Sequence, residues 1–190
     1  MSQERNPQGI RIPPTGLNTT RRHRTFDERL VVRFPALSQL AGAFVFRLPM
    51  RSRLRRRLLR RRIAQAASAV NRRDFDLLLT GFDPEFDWHI AAGAGAVPEL
   101  VGHHHGHAAY LEVWRHMLEP FDDLTAEPEE LIDAGHRLFS VTRMSGHGTG
   151  SGAPVSQRLF QVLTLRRGLV VKEEDFASRE EAFEAAGLSE

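Results

Sequence analysis

Apolar and polar residues alternate with two different periods along this chain. Through residue 25 (MSQERNPQGIRIPPTGLNTTRRHRT) large apolar residues are sparse, and Pro, Gly, Asn and Arg dominate. That composition predicts a disordered or loosely draped lead-in. A short helix is predicted over 34–46, started by Pro35 and stopped near Pro49. In RSRLRRRLLRRRIAQAASAVN the residues Leu54, Leu58, Leu59, Ile63, Ala66, Ala67 and Val70 recur at helical spacing, with arginines on the other face. Asn71 ends that helix, and DFDLLLTGF begins a shorter one from Asp74. DPEFDWHI reads as a turn into a strand, GAGAVPELVGHHHGH as a loop, and AAYLEVWRHML (108–118) as a helix. Its apolar stripe is Tyr110, Leu111, Trp114, Met117 and Leu118.

Beyond this helix the period becomes two. LTAEPEELIDAG, HRLFSVTRMSG, PVSQRLFQVLTLRRG and LVVKEEDFA predict four antiparallel strands, with Gly135 and Gly168 in turns. SREEAFEAAGL closes the chain as a helix, with Ser178 as its cap and Glu181 three residues on. Helices first and a strand meander after them give an α+β class.

The bulk properties narrow this picture. A length of 190 residues fits one domain with an extension. There is no cysteine, so disulfides, thiolate metal sites and cysteine nucleophiles are excluded. No secretory segment is expected, because the first 35 residues are polar. The longest apolar run, 36–46, falls far short of the ~20 residues a membrane span needs. A cytoplasmic protein is the expectation.

The charge is unevenly spread. Residues 1–62 hold 16 arginines against Glu4, Asp27 and Glu28, a formal +13. The remainder holds 10 basic residues against 21 acidic ones, a formal −11. The basic arm could meet nucleic acid or anionic lipid, or fold over its own acidic half. No aromatic residue is interleaved among the arginines of RSRLRRRLLRRR, so nucleic acid is not the expected partner. The inward arrangement is expected, with Ala66, Ala67 and Val70 packed on the sheet. HGTGSGAP (147–154) is rich in glycine, yet it lies between two strands rather than between a strand and a helix. It therefore reads as a hairpin tip and not a phosphate loop.

The chain resembles the SnoaL-like proteins of the nuclear transport factor 2-like superfamily. NRRDFDLLLTGFDPEFDWHI is similar to their entry segment, and GHAAYLEVWRHMLEPFDDL to the Gly-His segment opening their third helix. EELIDAGHRLFSVTRMSGHGTGSG and LFQVLTLRRGLVVKEEDFASREEAFEAAG are similar to their closing meander and last helix. The resemblance implies a cone-shaped α+β roll (cystatin-like), a curved antiparallel sheet with three main helices, over residues 50–190. Residues 1–49 would form a basic, partly disordered extension with a short helix. It also implies an apolar cavity for a small hydrophobic ligand, pairing into a homodimer through the sheet, and no cofactor.

Four histidines in GHHHGH (102–107) raise the question of a metal centre. The resemblance puts the family's Gly-His pair on Gly106 and His107, where His107 would cap or pack at the helix start. His103, His104 and His105 precede it. Of these histidines His103, His105 and His107 alternate, with Glu99 the only carboxylate near them in sequence, so no metal is expected.

The resemblance transfers catalytic positions only in part. Ketosteroid isomerases place a carboxylate base and two oxyanion donors where this chain has Ile90, Ala66 and Gln161. Isoleucine and alanine cannot move protons. The aspartate on the last strand of limonene-epoxide hydrolases and SnoaL-type polyketide cyclases corresponds to Asp175. The hydrolases' middle-strand Arg and Asp fall near Thr142 and Met144, and a shift of one residue would bring in Arg143. Asp175 as proton shuttle and Gln161 as orienting donor are therefore the candidate catalytic pair. The candidate cavity residues are Trp88, Ile90, Trp114, Met144, Leu159, Leu163, Glu173 and His107. Alternation puts Glu173 and Asp175 on one strand face, where burial and mutual repulsion would raise a pKa. For Glu173 the favoured expectation is a solvated strand end, paired with Arg143, Arg158 or the arm. The same alternation aims His89 away from the cavity, toward a structural or interface role.

Overall fold

In the computed structural model, which describes residues 9–14, 17, 19–95 and 97–189, seven strands form one curved, open sheet with six α-helices packed on it. The period-two stretches form its body. β4 (Thr125–Asp133), β5 (Arg137–His147), β6 (Pro154–Arg166) and β7 (Leu169–Phe176) run as an antiparallel meander. The glycine-rich 148–153 is the tip of the β5–β6 hairpin, where His147 pairs with Pro154.

The sheet departs from the expected antiparallel arrangement at β2 (Phe82–Ile90), which lies parallel to β7. This register sets Trp88 beside Glu173 and Ile90 beside Asp175. Two further strands correct the sequence reading. GHHH, expected as a loop, forms β3 (Gly102–His105) and pairs antiparallel with β2, His104 facing Trp88. The open edge of β2 supplies the backbone partners that a four-residue, histidine-rich segment lacks on its own. The lead-in, expected to be draped, contributes β1 (Ile10–Arg11) to the far edge beside β4. Ile12 follows it and is fully buried. The full order is β1-β4-β5-β6-β7-β2-β3.

Helices cover both faces. α1 (Phe26–Arg33) carries a local start signal. Thr25 Oγ1 accepts from the Glu28 N–H, and Glu28 Oε2 accepts from the Thr25 N–H, a reciprocal capping box. α2 (Pro35–Arg47) follows with proline at its start, then α3 (Arg53–Asn71) and α4 (Phe75–Leu79), capped by Asp74. α5 (Gly106–Leu118) leaves β3 directly, and α6 (Arg179–Ala185) is capped by Ser178.

Trp88, Phe86, Ile90, Tyr110, Val113 and Trp114 fill the concave side of the sheet. Phe139, Val141 and Val162 pack with Ala182 and Phe183 of α6 on the other side. A third cluster joins the arm to the body through Ile12, Val45, Leu59, Leu131 and Leu138.

The arginines divide into two sets. Arg55 is buried and donates to both oxygens of Asp133 at 2.7 Å, and also to the carbonyls of Leu48 and Gly135. Arg72 meets Glu28, Arg24 meets Asp74, and Arg61 meets Asp27. By contrast Arg29, Arg33, Arg47, Arg51, Arg53 and Arg57 are exposed and form no ion pair among the described residues. Among the described residues, no helix is long and apolar enough to cross a membrane.

Candidate functional site

A cavity of about 530 Å³ lies between the concave face of the sheet and α1 to α5. Its floor follows from strand alternation. Ser140, Thr142 and Met144 of β5, and Leu159, Gln161 and Leu163 of β6, all point the same way. Tyr110 and Trp114, one turn apart on α5, form one wall, and Leu77 and Leu78 of α4 another. Leu58, Ile63, Ala66 and Val70 descend from α3, while Leu30 of α1 and Phe44 of α2 stand where the lining reaches solvent. Most of the surface is apolar.

A buried carboxyl pair sits on β7. Glu173 lines the cavity and is 5% exposed, and Asp175, two residues on, is 3% exposed. Gln161 on the adjacent strand lies opposite Asp175 in the register. Its Nε2 donates to Glu173 Oε1 at 2.8 Å and to Asp175 Oδ1 at 3.0 Å. The Trp88 indole N–H donates to Asp175 Oδ2 at 3.0 Å. Both oxygens of Asp175 are thereby engaged, whereas Glu173 Oε2 is buried and has no partner.

These contacts set the proton affinities. Burial raises the Asp175 pKa to about 6, against the opposing pull of the Gln161 and Trp88 hydrogen bonds. Burial, then the Asp175 charge, pushes Glu173 well above the usual carboxylate range. Glu173 is therefore held back from ionising by its surroundings. In its protonated form Glu173 accepts from Gln161 at Oε1 and carries the proton on Oε2, the unpartnered oxygen. Burial and the Glu173 charge also raise the Tyr110 phenol, offset in part by the neighbouring Trp114 indole.

Of the residues expected at the site, Trp114, Met144, Leu159, Gln161, Leu163 and Glu173 line the cavity. Trp88, Ile90, His107 and Asp175 do not. Trp88 and Ile90 are core residues beneath the carboxyl pair, and His107 Nε2 lies 3.3 Å from the Phe82 carbonyl oxygen at the root of α5. Asp175 is one layer back, behind Gln161 and Trp88. The solvated expectation for Glu173 fails because β7 is an inner strand, flanked by β6 and β2. Arg143 turns to the outer face and pairs with Glu127, so the hydrolase arrangement does not assemble here. Tyr110 and the lining from α1 and α2 escaped the sequence reading. The spacing of Tyr110 and Trp114 signals a shared helix face; nothing local signals the arm's contribution.

The histidines disperse. His103 stacks on His89 on the outer face, ring centroids 4.3 Å apart, while His104 reaches the Leu100 carbonyl. His105 bonds Asp87 and Glu85. Among the described residues no three His, Asp or Glu side chains converge as a metal site requires.

Comparison with known proteins gives one family: the SnoaL-like domain matches residues 63–173. No curated protein matches the chain. Solved structures do. TerC, crystallised with polyporic acid, is 23% identical with a TM-score of 0.52, over 66% of this chain and 94% of that one. A nuclear transport factor 2-like protein of unknown function from Burkholderia pseudomallei is 23% identical with a TM-score of 0.54, over 64% and 92%. A protein of ketosteroid isomerase-like fold from Catenulispora acidiphila, in complex with trimethylamine, is 15% identical with a TM-score of 0.52, over 67% and 92%. At these identities the likeness is one of fold.

Proposed function

The chain belongs to the SnoaL-like domain family, and we propose that it binds a small, largely apolar molecule in its cavity, with one oxygen of that molecule held by Glu173. A single observation carries this reading: an apolar space of about 530 Å³ contains one buried carboxyl oxygen, Glu173 Oε2, that no protein group satisfies. Buried polar groups are costly when unpaired, and a ligand carbonyl, ether or hydroxyl would remove that cost. The volume suits a ring system of one to three rings. TerC, a structural relative, has been co-crystallised with polyporic acid, which accords with that choice.

Acid–base catalysis on the bound molecule is the second reading, favoured by the unequal proton affinities of Glu173 and Asp175. Paired carboxyls in unlike environments divide into acid and base. Glu173 would donate to the ligand oxygen. Asp175, ionised above about pH 6, would hold the proton on Glu173 by its charge and take part in proton exchange through rearrangement of the Gln161 bridge. The reading also includes a cytoplasmic location and self-association through the outer sheet face. A strictly monomeric mass by light scattering would count against the dimer.

Acetylnaphthalene and ethylnaphthalene, which differ by one carbonyl, test the binding reading through quenching of tryptophan fluorescence. Acetylnaphthalene should bind about tenfold more tightly, as expected for one buried hydrogen bond. Glu173→Leu should erase the difference, and Leu163→Trp should abolish both. Failure of both probes to bind would defeat the reading.

A further inference from the structure

The exposed apolar side chains of this protein are concentrated on one part of it. Of eight large apolar residues that stand exposed among the described residues, six lie between residues 26 and 54: Phe26, Leu30, Phe34, Leu40, Phe44 and Leu54. Phe26 and Leu30 stand four residues apart on one side of α1, Phe34 caps the end of that helix, and Leu40 and Phe44 stand four apart on α2. Leu30 and Phe44 also line the cavity, so both stripes converge where the cavity reaches solvent. The unpaired arginines belong to the same elements. Arg29 and Arg33 lie on α1, Arg47 ends α2, and Arg51, Arg53 and Arg57 lead into and along α3.

We propose that this face docks the protein peripherally on an anionic lipid bilayer. An interfacial helix of the usual kind sets large apolar side chains into the headgroup boundary and flanks them with arginines. An anionic bilayer supplies both complements at once, apolar depth for the phenylalanines and leucines and negative charge for the guanidinium groups. Each arginine brought to such a surface strengthens partition about fivefold. Two other occupants fit less well. A second copy paired symmetrically would set these arginines against themselves. Paired head to tail, it would offer only Val101 and Leu111 as exposed large apolar residues among the rest of those described. Single-stranded nucleic acid could stack on the phenylalanines but would leave Leu30, Leu40 and Leu54 without an apolar contact. The proposal does not depend on which molecule the cavity holds. If an apolar ligand enters there, it would enter from the lipid.

Co-sedimentation of the full chain with vesicles tests it. The protein should pellet with phosphatidylcholine–phosphatidylglycerol vesicles mixed in equal parts, and not with phosphatidylcholine alone. Its affinity should fall at least about tenfold between ~50 mM and ~500 mM salt, because the surface potential is screened. The triple variant Phe26→Ser, Phe34→Ser, Leu40→Ser touches no cavity residue and should bind at least about tenfold more weakly, with its thermal melt retained. The triple variant Arg51→Glu, Arg53→Glu, Arg57→Glu should lose binding at every salt concentration, and it decides the matter if the serine variant does not fold. Absence of binding to the mixed vesicles overturns the proposal. So does a dimer that the serine variant dissociates, or tight binding of single-stranded polynucleotide in place of vesicles.

Discussion

A carboxyl group buried beside a second carboxyl resists ionisation, and Glu173 is held in that condition by its strand position rather than by a specialised loop. The consequence for stability has a definite sign. Both Glu173 and Asp175 release protons less readily folded than unfolded. Above about pH 4 this pair therefore binds more protons in the folded chain than in the unfolded one, and its contribution to stability declines as pH rises. Asp175 contributes its share of that decline up to about pH 6, and Glu173 adds its own in the same direction. Glu173→Gln keeps the shape and the acceptor for Gln161 while removing the titration. Relative to the parent, it should raise the melting temperature more at about pH 8 than at about pH 5. Equal shifts at the two pH values would show that Glu173 ionises freely. Alternation did place Glu173 and Asp175 on one face. Their burial was not legible, because it depends on β2 lying outside β7, and no local pattern encodes which strand covers another.

Elements meet most closely where α2 crosses the β6–β7 turn. A Cβ built on Gly42 would lie 2.7 Å from the Gly168 carbonyl oxygen and 2.5 Å from Arg62 Nη1, so nothing larger than hydrogen fits without movement. Gly168 itself has φ 84 and its Cβ would meet the Gly42 backbone. Arg62 Nη1 donates to the Gly168 carbonyl at 2.8 Å, tying α3 to the same turn. On helix propensity alone Gly42→Ala should stabilise by about 1 kcal/mol. The close approach reverses the sign: overpacking costs about 1–3 kcal/mol, and the net effect should be a lower melting temperature. A stabilised variant would mean that α2 is not seated on the turn. Element identity was otherwise well signalled where the period was sustained, as in α3, α5 and the meander. β3 and α1 were missed for different reasons. β3 is four residues long and becomes a strand only because β2 offers an edge. α1 was concealed by its arginines, although Thr25 and Glu28 spell a helix start three residues apart.

For the molecule as a whole, the division into a basic arm and an acidic body becomes a question of what the arm covers. The resemblance made the roll legible, yet it ended near residue 50 and left the cavity's outer wall unassigned. Leu30, Val31, Phe44, Val45 and Phe46 all line that space. The arm is also joined to the body by groups that resist exposure. Ile12 is 1% and Val45 4% exposed, and both pack on Leu59, Leu131 and Leu138. Fully buried Glu28 accepts from Arg72, and the side chain of Asn71 donates to the Thr19 carbonyl. We therefore expect deletion of residues 1–49 to be destabilising. Loss of Ile12 and Val45 alone removes about 3–6 kcal/mol of apolar burial. For a chain of this size that corresponds to a fall of about 10 °C in melting temperature. The same truncation opens the cavity wall, so the acetylnaphthalene affinity should drop along with the stability. A truncated protein that melts with the full chain and binds the probe as tightly would show the arm to be an appendage, and the cavity a property of the roll alone.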